Sequence, residues 1–221
     1  MITVLLADDH AVVRAGLRAL LEGAGDMHVV GEAENGREAI ALAERTRPEV
    51  VLMDVAMPHL NGYEATRHIC RLARPPKVLV LSSFGQDENI RQMLEAGAAG
   101  YVLKQSAAAD LLDAIRAVHA GRSFFSPEIA RRFSKASGLP VVPGLPRQSP
   151  HPLSPREREV VQLVAEGFSN KMIAAEIGIS IKTVEKHRQQ AMDKLQIHDV
   201  AGLTRYALAV GIIDQTSSAH P

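Results

Sequence analysis

Five polar residues could do chemistry together: Asp8 and Asp9 in LLADDH, Asp54 in VLMDVAMPHLNG, Ser82 in VLVLSS and Lys104 in GYVLK. Each closes or follows a short oily run, the kind that forms a strand buried on both faces. Three carboxylates brought to one place repel one another, and removal from water adds to the penalty. A hard divalent cation relieves it, and Mg²⁺ suits a few carboxylates with retained water. A cation beside one carboxylate, with an amine such as Lys104 and a hydroxyl such as Ser82, can hold a phosphoryl group on that carboxylate. Asp54 then reads as a nucleophile that accepts phosphate as an acyl phosphate. Any single acid here is an ordinary polar strand end. The order acid pair, acid, hydroxyl, amine on successive apolar runs carries the reading.

Certain elements must bring these residues to one edge. The runs ITVLLA (2–7), HVVGEA (28–33), VVLM (50–53), KVLVLS (77–82) and GYVLK (100–104) predict strands. Helical spacing separates them. Val13, Leu17, Leu20 and Leu21 share one face, Asn35 is a natural N-cap for GREAIALAERTR, and Pro48 follows that helix. Further helices are predicted near 62–73, 87–96 and 107–120. The fold class is therefore α/β, a (βα)5 doubly wound parallel sheet. Such sheets bind ligands beyond the carboxyl ends of their strands, where the strand order switches direction. With the order 2-1-3-4-5, strands 1 and 3 are neighbours at that point, and the three carboxylates meet. GEAENGRE (31–38) has the glycine spacing of a phosphate loop but lacks its Lys-Ser/Thr, so Gly36 reads as a helix start. His10 reads as a loop or helix-start residue, and Cys70 as a small core side chain.

The chain of 221 residues is long enough for two small domains. Its zero net charge hides an asymmetry. Residues 1–120 hold 12 bases and 16 acids, whereas residues 121–221 hold 13 and 9. An acidic first part and a basic second part suggest two jobs, with any polyanion partner on the second. No apolar run approaches the ~20 residues of a membrane span. MITVLLADDH lacks the basic start of a signal peptide. One cysteine excludes an internal disulfide. These features lead to an expectation of a cytoplasmic chain with no membrane partner.

Residues 135–152, KASGLPVVPGLPRQSPHP, contain five of the 12 prolines and no helical period, which marks a linker. The predicted organisation is a first domain at 1–120, a linker at 121–150, a second domain at 151–213 and a disordered tail at 214–221. In the second domain, Ser154, Pro155 and Glu157 form an N-terminal capping signature. Three more helices follow at 169–177, 180–195 and 199–210, giving a small all-α four-helix unit. Gly178 and Ser180 make the turn between the middle pair. In the helix that follows, Val184, His187, Ala191 and Leu195 form one apolar stripe. Lys182, Lys186 and Gln189 lie opposite, a face suited to the DNA major groove or simply to solvent. Ser180, Thr183 and Arg188 flank that face as phosphate-contact candidates.

Residues 1–120 resemble the CheY-like receiver domain of two-component response regulators, on LLADDH, LMDVAMPHLNG, VLVLSS and GYVLK. The resemblance implies that a sensor histidine kinase phosphorylates Asp54. It also implies that Asp8, Asp9, Asp54 and the backbone carbonyl of Ala56 hold Mg²⁺. Ser82 and Lys104 take the switch hydroxyl and the phosphate-binding amine, and Tyr101 the aromatic that changes rotamer. Asn61 and Gln105 depart from the family, which often has Asp and Pro there. Residues 151–213 resemble the LuxR-type helix-turn-helix domain of the NarL/FixJ subfamily, from LSPREREVV through Lys194-Leu195. This implies that Glu185, Lys186 and Gln189 approach bases, that Lys182 and Thr183 contact the backbone, and that His187 packs. It also implies promoter DNA as partner and a homodimer when phosphorylated or DNA-bound, with residues 201–211 as the DNA-domain dimer surface.

Two rival readings share the residues. Haloacid-dehalogenase-like phosphatases also use Mg²⁺ and an aspartyl phosphate, but their nucleophile ends the first strand in D-x-D. Here that strand ends in Asp-Asp-His. A phosphorylation-independent regulator with a vestigial receiver would not need the complete set of acceptor residues.

Overall fold

The structure is a computed structural model and describes residues 1–83, 87–106, 108–130 and 152–213. The first unit alternates β1 (Ile2–Ala7), α1 (Ala11–Gly23), β2 (Met27–Ala33), α2 (Gly36–Thr46), β3 (Val50–Met53) and α3 (Gly62–Ile69). It continues with β4 (Lys77–Ser82), α4 (Asp87–Glu95), β5 (Gly100–Leu103), α5 (Ala108–His119) and β6 (Phe124–Phe125). The strands form one sheet in the order β2-β1-β3-β4-β5-β6, and every neighbouring pair is parallel.

Alternation along each strand divides the core between two faces. Leu5, Ala7, Val51, Met53, Val78 and Val80 point to the side covered by Ala39 and Ala43 of α2, Ala65 and Ile69 of α3, and Ile90 and Met93 of α4. Val4, Leu6, Val50, Leu52, Leu79 and Leu81 face Leu21 of α1 and Leu111, Ala114, Ile115 and Val118 of α5. Helices on both faces explain why the strands carry almost no polar residues until their ends.

The sheet carries a sixth strand that the sequence reading placed in the 121–150 linker. Phe124 and Phe125 pair with Gly100 and Tyr101, and Ile129 beyond them is fully buried. A two-residue strand has no period to detect. Its place is set by Gly100, where a side-chain carbon would lie 2.5 Å from the Phe124 carbonyl oxygen. The rest of the predicted linker that falls at 131–150, and the predicted tail at 214–221, lie outside the described residues.

The second unit contains α6 (Pro155–Ala165), α7 (Asn170–Ile177), α8 (Ile181–Leu195) and α9 (Val200–Ala209). Ser154 caps α6 in a reciprocal capping box with Glu157, and Lys194 reaches back to Glu157 from the end of α8 at 2.7 Å. Gly178 takes the left-handed conformation that ends α7, and Ser180 caps α8. Val160, Val161, Leu163, Ile173, Ile177, Val184, Ala191, Leu203 and Ala207 close the core.

The two units pack together through α6. Arg158 is buried, with its guanidinium 4.1 Å from the centre of the Tyr63 ring and 3.3 Å from Glu64. Arg37 of α2 pairs with Glu159 and, at 3.5 Å, with Glu176. The other end of the contact is Gly211, just past α9, which lies against the side chain of Asn89 in α4.

Candidate functional site

The chain brings its acids together because every βα connection in a parallel sheet leaves the strand's carboxyl end on the same edge. β1 ends at Ala7 and β3 at Met53, paired directly across the sheet, so Asp8 and Asp54 emerge side by side. Ligand atoms of Asp8, Asp9, His10 and Asp54 all lie within 4.8 Å of one another. Lys104, just past β5, reaches over with its Nζ 2.6 Å from Asp54 Oδ2 and 2.7 Å from Asp8 Oδ2. The Val55 N–H donates to Asp54 Oδ1 at 2.7 Å. Ser82, at the end of β4, and Tyr101 in β5 are fully buried and bonded to each other.

Asp54 is almost fully buried, and its acidity shows it. Desolvation pushes its pKa up to about 6 against the pull of Lys104, and the Asp8 charge adds to the rise. Burial also works against the Lys104 charge, but Asp54 and Asp8 outweigh it and hold the ammonium above its ordinary value. Burial raises Asp9 as well, and pushes the Tyr101 phenol up to about 12. Three carboxylates against one ammonium leave the pocket short of positive charge. That imbalance, with oxygen donors gathered on two adjacent strand ends, fits a hard divalent cation. His10 caps no backbone group of α1, and its Nδ1 lies 2.7 Å from Asp9 Oδ1.

The raised Asp54 value has a measurable consequence. Between the ordinary 3.8 and about 6, the folded chain holds a proton on Asp54 that the unfolded chain has lost. Stability therefore falls as pH rises through this window, by about 3 kcal/mol for this group. The expected result is that, without metal, Asp54→Asn gains stability over the wild type between pH 4 and 7 in urea melts. A constant difference across that range would show that Asp54 is not held protonated.

The loop after Asp54 is set by contacts the sequence reading did not assign. Asn61 caps α3 by accepting from the Glu64 N–H, so its departure from the family pattern keeps the capping role. Gly62 N–H donates to the Val55 carbonyl at 2.9 Å, and a side-chain carbon at Gly62 would sit 1.8 Å from the Asp54 carbonyl oxygen. Gly36 approaches the same loop, donating to the Leu60 carbonyl at 2.9 Å. That N–H serves the loop as well as starting α2. His59 is a non-glycine residue at φ +64, a strained conformation that its neighbours must hold.

The second candidate surface is α8. Lys182, Glu185, Lys186 and Gln189 are exposed, Thr183 and Arg188 are half-buried, and Ser180 stands exposed at the helix start. Val184 and Ala191 are buried, and His187 and Leu195 half-buried, on the opposite stripe. The Gln189 amide donates to Asp193 at 2.8 Å, and the Ser180 and Thr183 hydroxyls lie 2.8 Å apart. Among the described residues, no hydrogen bond or ion pair joins α8 to the first unit. Lys182, Glu185, Lys186 and Gln189 are exposed with the two units packed together.

A doubly wound parallel sheet with an acidic pocket at its carboxyl edge, joined to a helix-turn-helix unit, defines a receiver coupled to a DNA-binding domain. Residues 4–116 match the response regulator receiver domain, and residues 151–207 match the bacterial regulatory proteins of the luxR family. The chain is 42% identical over 207 residues to the transcriptional regulatory protein LiaR of Bacillus subtilis, covering 94% of this chain and 97% of LiaR. It is 37% identical over 216 residues to the response regulator VraR of Staphylococcus aureus, covering 96% of this chain and 99% of VraR. Among solved structures, RcsB of Salmonella enterica serovar Typhimurium, bound to a promoter with a phosphomimetic, matches with TM-score 0.58 and 32% identity. That match covers 95% of this chain and 98% of RcsB. The chain belongs to the two-component response regulators with a LuxR-type DNA-binding domain, and is a transcriptional regulator of that family. No helix among the described residues is long and apolar enough to cross a membrane.

Proposed function

We propose that phosphorylation of Asp54 by a sensor histidine kinase switches this regulator between states that bind promoter DNA differently. The observation that carries the reading is the bridging of Asp54 and Asp8 by one Lys104 ammonium in a pocket that still carries excess negative charge. In the proposed step an Asp54 carboxylate oxygen attacks phosphorus, the P–N bond of a phosphohistidine breaks, and an acyl phosphate forms. Mg²⁺, held by Asp8, Asp9, Asp54 and the Ala56 carbonyl, would supply charge neutralisation for the incoming phosphoryl group. Lys104 leaves its present partners to pair with a phosphoryl oxygen. Ser82 donates to another, and Tyr101, already buried and bonded to Ser82, changes partner with it. The receiver catalyses only its own phosphotransfer and dephosphorylation. The first domain extends from residue 1 through β6 to Ile129 and the second spans 151–213, and the protein acts in the cytoplasm, where its promoters are.

DNA is read by α8. Glu185, Lys186 and Gln189 approach base edges, while Ser180, Lys182, Thr183 and Arg188 hold phosphates. Gln189 must exchange Asp193 for a base to do so. One weakly basic domain binds DNA poorly, so two copies on adjacent half-sites are needed, paired through the exposed residues of α9. The relatives solved with DNA include two RcsB dimers on two DNAs. The test is footprinting of the phosphorylated protein and of Lys186→Ala. The variant is expected to lose about tenfold in specific affinity, with unchanged circular dichroism. An unchanged footprint would remove Lys186 from the readers.

A further inference from the structure

We propose that Gln162, in the DNA-binding domain, is a positioning residue for the phosphoacceptor loop, and that its grip on the loop slows phosphorylation of Asp54. This rests on the reading of Asp54 as the acceptor. Gln162 is fully buried on α6. Its amide donates to the Met57 carbonyl at 2.9 Å, and its oxygen accepts from the Asn61 N–H at 3.0 Å. The second amide hydrogen goes to Glu166 at 2.8 Å, whose other oxygen accepts from the His59 N–H at 3.3 Å. Alternate backbone groups of residues 57, 59 and 61 thus end on Gln162 of α6 and on Glu166, its C-cap. His59 is fastened further by Glu176, 3.2 Å from its Nδ1, and by Phe168, against which its ring packs edge-on at 5.7 Å.

The grip falls next to the chemistry. The Ala56 and Met57 carbonyls belong to successive peptide planes joined at the Met57 Cα. A cation drawing on the Ala56 carbonyl and an amide holding the Met57 carbonyl therefore act on the same backbone torsions. Moving the loop would leave the Gln162 amide and the Asn61 N–H buried without partners, which buried polar groups resist. Docking of the second domain and loading of the pocket then oppose each other, and the opposition is reciprocal. Information passes through residues 54–61, a route separate from Ser82 and Tyr101.

The test uses the full chain with acetyl phosphate and Mg²⁺, reading the initial labelling rate on phosphate-affinity gels and the Mg²⁺ concentration for half-maximal rate. Gln162→Ala is expected to label about tenfold faster and to half-saturate at lower Mg²⁺. Gln162→Met keeps the volume without the amide, and serves equally if the alanine variant does not fold. Arg37→Ala loosens the same domain contact and reaches the loop only through Glu176, the partner it shares with His59, so it is expected to change the rate less. Wild-type rate and Mg²⁺ dependence in the folded Gln162 variants would overturn the proposal, as would slower labelling or an equal effect in Arg37→Ala. Loss of label in Asp54→Asn separates these outcomes from failure of the acceptor reading itself.

Discussion

Asp54→Asn is expected to abolish Mg²⁺-dependent labelling by acetyl phosphate while leaving a folded chain. The amide has nearly the shape of the carboxylate but no nucleophilic oxygen anion, so the acyl phosphate cannot form. Folding should survive because Lys104 keeps Asp8 at 2.7 Å, and the Val55 N–H can still donate to the amide oxygen in place of Asp54 Oδ1. The buried, ionised Asp54 is also a cost to the metal-free fold at neutral pH, and the variant removes it. Loss should approach the background of the assay, a larger effect than any change that only tunes geometry. Label that persists, mapped by mass spectrometry to another residue, would sink the assignment of the acceptor.

Gly62→Ala is expected to damage both the fold and the pocket. Its new methyl would lie 1.8 Å from the Asp54 carbonyl oxygen and 3.1 Å from Met53 Cγ. The carbonyl cannot yield easily, because the Asp54 N–H is tied to Ala7 in β1 at 2.8 Å and the Val55 N–H, in the carbonyl's own peptide, donates to Asp54 Oδ1 at 2.7 Å. Either Asp54 shifts away from Lys104 or α3 is pushed off the sheet, and α3 carries the Tyr63 and Glu64 contacts to Arg158. Overpacking against fixed backbone costs about 3 kcal/mol. Urea unfolding should show that loss, and the folded fraction should label poorly at Asp54. The wild-type midpoint and labelling rate together would show that the loop is softer than its contacts imply. Neither effect is visible from the residue type, since a glycine beginning a helix is otherwise unremarked.

The sheet and the pocket at its edge are legible in the chain alone. Strands buried on both faces must be apolar throughout, so their ends stand out, and Asp8, Asp9, Asp54, Ser82 and Lys104 all occupy such ends. Parallel pairing puts those ends on one edge, and right-handed crossovers place the helices on the faces. The α8 face was legible for a similar reason, since Val184, His187, Ala191 and Leu195 repeat at helical spacing. Phe124 and Phe125 were not, because two residues carry no period.

The roles of Gln162, Arg158 and Glu64 come from packing between distant segments. In the chain each looks like a polar residue on a helix, and nothing local separates a buried polar side chain from a solvated one. Their partners lie far away in sequence, with Asn61 separated from Gln162 by 101 positions. Burial of that kind belongs to the packing of two units against each other. A linear pattern records the surface each unit buries for itself, not the surface it shares.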